Sequence, residues 1–312
     1  MKSLPDLTPF VNIIKEGGVV AFPTETVYGL GADARNPVAI QKVFETKGRP
    51  VDNPLIVHLS DTKMVHDFAT DIPEAAKLLM KHFWPGPITL VLNKKEEILD
   101  SVTAGLPTVA LRIPSNPLAL EFIKQTGPLV APSANHSGKP SPTQAKHVKE
   151  DFGDEFPVID GGITNIGLES TVIGFEDDHI TLMRPGKIGA DEIESVTGLK
   201  VRSDHMNEQE TPKSPGQKYS HYKPKADVVY KGVSAFNDHT LYVMQTAPEV
   251  KQNNVICYEG DLKQLSKELY DRFRQADQQG YHRVHIEPFE EHKAEYPAYY
   301  EALINRIRKT LG

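Results

Sequence analysis

The chain has 312 residues, 39% of them hydrophobic, and a formal charge of −7 with a pI of about 6.0. That length exceeds what one core ordinarily organises, so two domains are expected, and the acidic balance argues against a dedicated nucleic-acid binder, whose domains are basic, while leaving room for a local basic groove. A single cysteine, Cys257, excludes an intrachain disulfide and points to a reducing compartment; no basic-then-apolar leader and no run near the ~18 apolar residues of a membrane helix is visible, so a soluble, cytoplasmic protein is expected.

Thr8-Pro9 reads as an N-cap followed by Pro in the first turn, with Phe10, Ile13 and Ile14 at helical spacing as far as Gly17-Gly18. Val19 to Phe22 is an apolar run that reads as a buried strand, and Pro23 marks where its pairing stops. The residues after it, Thr24 to Gly31, read as a loop whose hydroxyls can bond a ligand and whose glycines admit close backbone approach. Asn36-Pro37 opens a helix that Gly48 and Pro50 close. Strands follow at 55–59, 88–92, 108–113, 129–131, 158–159, 171–175 and 180–183. Helices are expected at 75–82, 118–125, 144–149 (capped by Thr143) and 190–196. Strands and helices interleave, but several strands come in close succession, which predicts a mixed rather than a purely parallel sheet.

From Arg202 to Ala226 the chain is polar, Pro-containing and nearly free of aliphatic side chains, a linker or long functional loop. Beyond it, strands at 240–244, 255–258 and 283–286 alternate with helices at 262–278 and 298–309. Leu262, Leu265, Leu269 and Phe273 recur at three- and four-residue steps, giving the first of these helices an apolar face. The expected organisation is therefore an α/β mixed-sheet domain at 1–201, a linker at 202–226 and a small Rossmann-like α/β domain at 227–312.

Four polar clusters interrupt strand ends in the first unit. Lys47-Gly48-Arg49 sets two cations astride a glycine, which suits a polyphosphate; Asn53 and His58 follow, the latter inside an apolar strand where a hydrogen-bonded core histidine is the commoner outcome. Thr108 and Arg112 are four apart on one strand, so their side chains share a face. A buried arginine requires an anion, either a structural Asp or Glu or a ligand carboxylate. Ser133-Ala134-Asn135 and Ser137 to Thr143 follow a short strand, where a sheet edge binds ligands or a turn simply bends. Glu169-Ser170-Thr171 precedes one strand and Arg184 closes the next. A P-loop, a C-x-x-C, an H-E-x-x-H and a G-x-S-x-G are all absent from the sequence, and Gly29-x-Gly31-x-x-Ala34 is too far from its strand to be a dinucleotide fingerprint.

Taken together and in this order, Pro23 to Gly31 (PTETVYGLG), Lys47 to Arg49, Ser133 to Asn135 and Glu169 to Val172 resemble the threonylcarbamoyl-AMP synthase family, with its YrdC-like catalytic domain. Ser214 to Pro224 resembles the linker of the family's two-domain form. The resemblance implies a nucleotidyltransferase that takes L-threonine, bicarbonate or carbon dioxide, and ATP with Mg²⁺. Its product would pass to a transferase that modifies the adenosine beside the anticodon of tRNA. By motif position it implies Thr26, His58, Arg112, the Ala131 backbone and Ser170 around threonine. It implies Lys47, Arg49, Asn53, Thr108, Ser133, Ser141 and Arg184 around ATP, with Lys47, Arg49, Ser133 and Asn135 as the catalytic set and no protein-held metal. His221 and Tyr222 are expected to cover the nucleotide as a lid. Two rival readings are an RNA-binding module with a weak RNA contact, which the acidic charge opposes, and carbamoyl transfer in hydrogenase maturation, which expects acylphosphatase and zinc-finger segments.

Overall fold

The computed structural model describes residues 5–203, 222–250 and 252–311. The first unit contains α1 (Thr8–Lys15), β1 (Val20–Phe22), β2 (Gly29–Asp33), α2 (Pro37–Lys47), β3 (Ile56–His58), α3 (Glu74–Phe83), β4 (Ile88–Asn93) and α4 (Asp100–Thr103). It continues through β5 (Thr108–Arg112), α5 (Pro117–Thr126), β6 (Leu129–Val130), α6 (Ala145–Phe152), β7 (Thr171–Phe175), β8 (His179–Arg184), α7 (Ala190–Thr197) and β9 (Lys200–Ser203). Its nine described strands form one mixed sheet in the order β1-β2-β6-β3-β5-β4-β7-β8-β9. The pairs β3/β5, β4/β7 and β8/β9 are parallel and the others antiparallel.

Local chemistry explains most boundaries. Asn36 caps α2 by accepting from the amides of Val38 and Ala39 at 3.0 and 3.2 Å, and Gly48 ends it at φ 59°. Thr8 and Thr143 do not act as the predicted caps. Thr8 is already helical, with Leu7 at the N-cap, and α6 starts after Gln144, which makes no side-chain cap; the Thr143 amide donates to His147 Nδ1 at 3.2 Å. The glycine-rich stretch after Phe22 is not only a loop: Gly29 to Asp33 is a strand antiparallel to β1. A Cβ on Gly31 would lie 2.9 Å from the Phe22 ring, so this glycine makes room for a core phenylalanine rather than for a ligand. Residues 158–159 contribute only an isolated bridge, Ala21 to Val158. β9, unforeseen in sequence, adds Arg202 and Ser203 to the large sheet.

The sheet's two faces differ. Val109, Leu111 and Ile113 point into the main core under α2 and α3, whereas Ile56, Val91, Ala110 and Val172 form a small apolar strip on the opposite face.

The second unit holds β10 (Asp227–Tyr230), β11 (Thr240–Met244), β12 (Val255–Cys257), α8 (Leu262–Gln278), β13 (Arg283–Ile286) and α9 (Pro297–Leu311), with a parallel sheet ordered β10-β13-β11-β12. Leu262, Leu265, Leu269 and Phe273 are all fully buried, as the helical spacing predicts. Cys257 is half-buried, on the edge strand β12.

The two units share a core. Val27 and Leu168 of the first pack with Leu265, Leu269, Tyr270 and Phe273 of the second. At Gly167 (φ 80°) an added Cβ would lie 2.4 Å from the Lys267 Cα, so α8 crosses there on glycine backbone. Arg274 of α8 donates to the Pro140 carbonyl at 2.6 Å and pairs with Asp151 at 2.9 Å. No helix among the described residues is long and apolar enough to cross a membrane.

Candidate active site

A cleft opens where β3, β5 and β6 end beside the 24–29 segment. Thr26, His58, Arg112, Ala131 and Ser170, widely spread in sequence, all line it, as do Arg49, Ser133 and Arg184.

At the inner end, hydrogen bonding fixes what each group can offer. Thr24 gives its hydroxyl proton to the Val27 carbonyl at 2.6 Å, so in the 2.7 Å contact between Thr24 and Thr26 the proton belongs to Thr26. Thr26 therefore presents lone pairs to the cleft and acts as an acceptor. His58 is 3% exposed; burial and the nearby Arg112 charge push its pKa down to about 3, so the imidazole is neutral. Its Nδ1 lies 3.2 Å from the Ile56 carbonyl, which can only accept; the proton is on Nδ1 and Nε2 is an acceptor.

Arg112 is almost completely buried, and its anion is Glu25, of the Pro23 to Gly31 motif, with Nη2 and Oε1 2.8 Å apart. The pair is close but poorly aligned: neither Arg112 Nη2 nor Glu25 Oε1 completes a hydrogen bond, while Nε donates to the Gly86 carbonyl at 3.4 Å. Between the two alternatives the sequence leaves open, the structure supplies the protein carboxylate. It also leaves Nη2 with donors not spent on it.

Arg184 grips Ser170 twice, Nε to its carbonyl at 3.0 Å and Nη2 to its hydroxyl at 3.1 Å; Ser170 Oγ also meets Thr89 Oγ1 at 2.8 Å. Arg49, half-buried at the mouth, donates to the Pro54 carbonyl at 3.1 Å and, more weakly, to the Asn53 carbonyl at 3.4 Å. Glu169 also lines the cleft, a residue that the sequence reading places in a motif but gives no role. Burial works to raise its pKa, but Arg306, Arg184 and the Ser141 hydroxyl, which donates to it at 2.6 Å, hold it down at about 2.

Several expected residues stand behind the wall instead of in it. The sequence predicts a mobile point charge at Lys47; the structure buries its ammonium, which donates to the backbone carbonyls of Ser133 and Asn135, the latter at 2.6 Å. Burial and the Arg49 charge push its pKa well below the usual lysine value. Asn135 donates to the carbonyls of His136 and Lys139 at 2.8 and 3.0 Å, closing the same turn. Asn53 and Ser141 are buried and do not reach the cleft. Thr108 lies at the other end of β5, in a second cavity lined also by Val91, Gly174 and Met183. Four residues of β-strand, roughly 13 Å, separate it from Arg112 on the same face, with Ala110 of the apolar strip between them. Tyr222 lines the cleft; His221 lies outside the described residues.

Residues 12–186 match the family described as Telomere recombination, and residues 188–312 the family described as Threonylcarbamoyl-AMP synthase, C-terminal domain. The threonylcarbamoyl-AMP synthase of Bacillus subtilis is 51% identical over 226 residues, covering 71% of this chain and 65% of its own length. That of Pyrococcus abyssi is 41% identical over 319 residues, covering 96% and 92%. The crystal structure of P. abyssi Sua5 complexed with L-threonine shares the fold at a TM-score of 0.88 and 38% identity, over 98% of this chain and 94% of that one. A shared two-unit architecture, matched along nearly its whole length, places the chain in the threonylcarbamoyl-AMP synthase family.

Proposed function

We propose that the cleft joins L-threonine, bicarbonate and ATP to give threonylcarbamoyl-AMP and pyrophosphate. One observation carries the reading: Arg49, Arg112, Arg184 and Ser133, far apart in sequence, open onto a single cavity. Three guanidiniums in one hollow suit a substrate pair carrying a carboxylate and a triphosphate.

The threonine amine adds to CO₂, drawn from bicarbonate with loss of water, and sheds a proton to leave a carbamate. A carbamate oxygen then attacks the α-phosphorus in line, the bond to the bridging oxygen breaks, and pyrophosphate departs. Such a displacement needs position and charge neutralisation more than a protein nucleophile. Arg112 takes the threonine carboxylate. Thr26 and His58 Nε2, both acceptors, suit its amine and hydroxyl protons, with the Ala131 backbone and Ser170 completing the inner end. Arg49 and Arg184 face the phosphates beside Ser133. The nucleoside lies along the strip of Ile56, Val91, Ala110 and Val172, with Thr108 at its far end. Asn53 serves through the carbonyl that Arg49 touches and Ser141 through Glu169, while Lys47 and Asn135 hold the Ser133 turn. Tyr222 walls the site against water.

ATP enters as its Mg²⁺ complex, the ion carried by phosphates and water; among the described residues no group of three His, Cys, Asp or Glu could hold a metal. The product is a mixed anhydride, suited to a transferase that moves its acyl group to tRNA. The test is pyrophosphate release from ATP and Mg²⁺, with and without threonine and bicarbonate. Release that requires both is expected. Release indifferent to threonine, or RNA binding with no release, would overturn the reading.

A further inference from the structure

Behind the cleft, two side chains of the second unit reach into the first. Tyr270 of α8 and Arg306 of α9 are fully buried, and neither lines the cleft. Both contact the same two residues that do. The Tyr270 hydroxyl donates to Glu169 Oε2 at 3.0 Å, and its ring stacks on Tyr222 with centroids 5.2 Å apart. Arg306 Nε donates to Glu169 Oε2 at 3.0 Å, Nη2 to the Glu169 carbonyl at 3.3 Å and Nη1 to the Pro185 carbonyl at 2.6 Å. Its guanidinium also lies 5.9 Å from the Tyr222 ring centroid.

The arrangement is more specific than adhesion between two units requires. A buried carboxylate–guanidinium pair gains little over apolar packing, because desolvation offsets the attraction. Here three of the fork's five N–H groups are spent on residues that flank Ser170 and Arg184, and Nη1 also donates to the neighbouring Asn305 Oδ1 at 3.1 Å. Tyr222 is held at φ 68°, a backbone region costly for a bulky residue. Ring stacking and the guanidinium contact offset that cost only while α8 and α9 stay in place.

We infer that Tyr270 and Arg306 are positioning residues for the reaction: from the second unit they fix Tyr222 and Glu169 as the back wall of the cleft. Through Glu169 they set where Ser170 and Arg184 stand. The inference rests on the synthase reading above.

The test uses the full-length chain with Tyr270→Phe, which removes one oxygen and keeps the ring stack, and Arg306→Lys, which keeps the charge and loses the fork. Threonine binding is measured by calorimetry, pyrophosphate release by steady-state kinetics and stability by thermal melting. Both variants are expected to bind threonine about tenfold more weakly, the order of one charged hydrogen bond, with the threonine KM rising and lysine failing to rescue. Should Arg306→Lys not fold, Tyr270→Phe decides. Variants that melt earlier yet keep wild-type threonine affinity, KM and kcat would overturn the positioning role alone. A wild-type chain that neither binds threonine nor releases pyrophosphate would overturn the synthase reading, and this one with it.

Discussion

Replacing Arg112 by alanine separates two jobs that one side chain performs. Arg112 and Glu25 are 4% and 6% exposed, with 2.8 Å between their charges. Loss of a charged hydrogen bond to the threonine carboxylate removes about 1.5–3 kcal/mol of binding, or about 10- to 100-fold in affinity. The same change leaves Glu25 buried without its cation, which costs about 3–5 kcal/mol of folding stability, a large part of the roughly 5–15 kcal/mol a domain possesses. One oxygen of Glu25 still accepts from the Ser115 amide at 3.1 Å, so the loss falls toward the lower figure. Adding Glu25→Gln neutralises the stranded carboxylate. The double variant should recover most of the urea midpoint and none of the threonine affinity by calorimetry. Affinity that survives Arg112→Ala in folded protein, or returns with Glu25→Gln, would refute the placement of the carboxylate.

Three further outcomes follow from the geometry. His58 has a folded pKa depressed to about 3 from 6.5, so the unfolded chain binds the extra proton first and the stability it confers is full above pH 6.5 and drains as pH falls toward 3. His58→Gln should make urea midpoints less steep between pH 6.5 and 5; His147, also depressed mainly by burial, leaves a residual slope of the same sign. Gly167→Ala puts a Cβ 2.4 Å from the α8 backbone at φ 80°, and should cost about 1–3 kcal/mol or more in melting experiments while weakening threonine binding. Lys47→Met keeps length and apolar stem but frees the carbonyls of Ser133 and Asn135. Pyrophosphate release should fall at least tenfold, because two buried acceptors lose about 1–3 kcal/mol each and the turn shifts; unchanged kcat would mean that the turn holds itself.

The sequence reading recovers what periodicity and caps control. The α8 stripe, the Asn36 cap and the alternation of β5 are written locally, and the shared face of Thr108 and Arg112 follows from the pleat alone. It loses what depends on partners distant in the chain. Gly29 to Asp33 lacks β-branched side chains, and only the Phe22 ring shows why glycine belongs in that strand. A lysine two residues before an arginine looks like a phosphate grip until two carbonyls some 90 positions on are seen to hold it. That Arg112 needs an anion is legible; that Glu25 supplies it depends on how the chain returns after β1. Glu169, Tyr270 and Arg306 carry no mark of their connection, since the groups that join them stand 101 and 137 positions apart in the sequence.

The shared core between the units has an engineering consequence. A chain cut after β9 would bare Val27, next door to Thr26, and Leu168, next door to Glu169, to water. The stump would carry a greasy scar at the rim of its own reaction chamber, with the carboxylate there stripped of its main counter-ion. Minimising this protein to one half therefore calls for a redesigned surface at that rim before any loss of turnover can be blamed on chemistry.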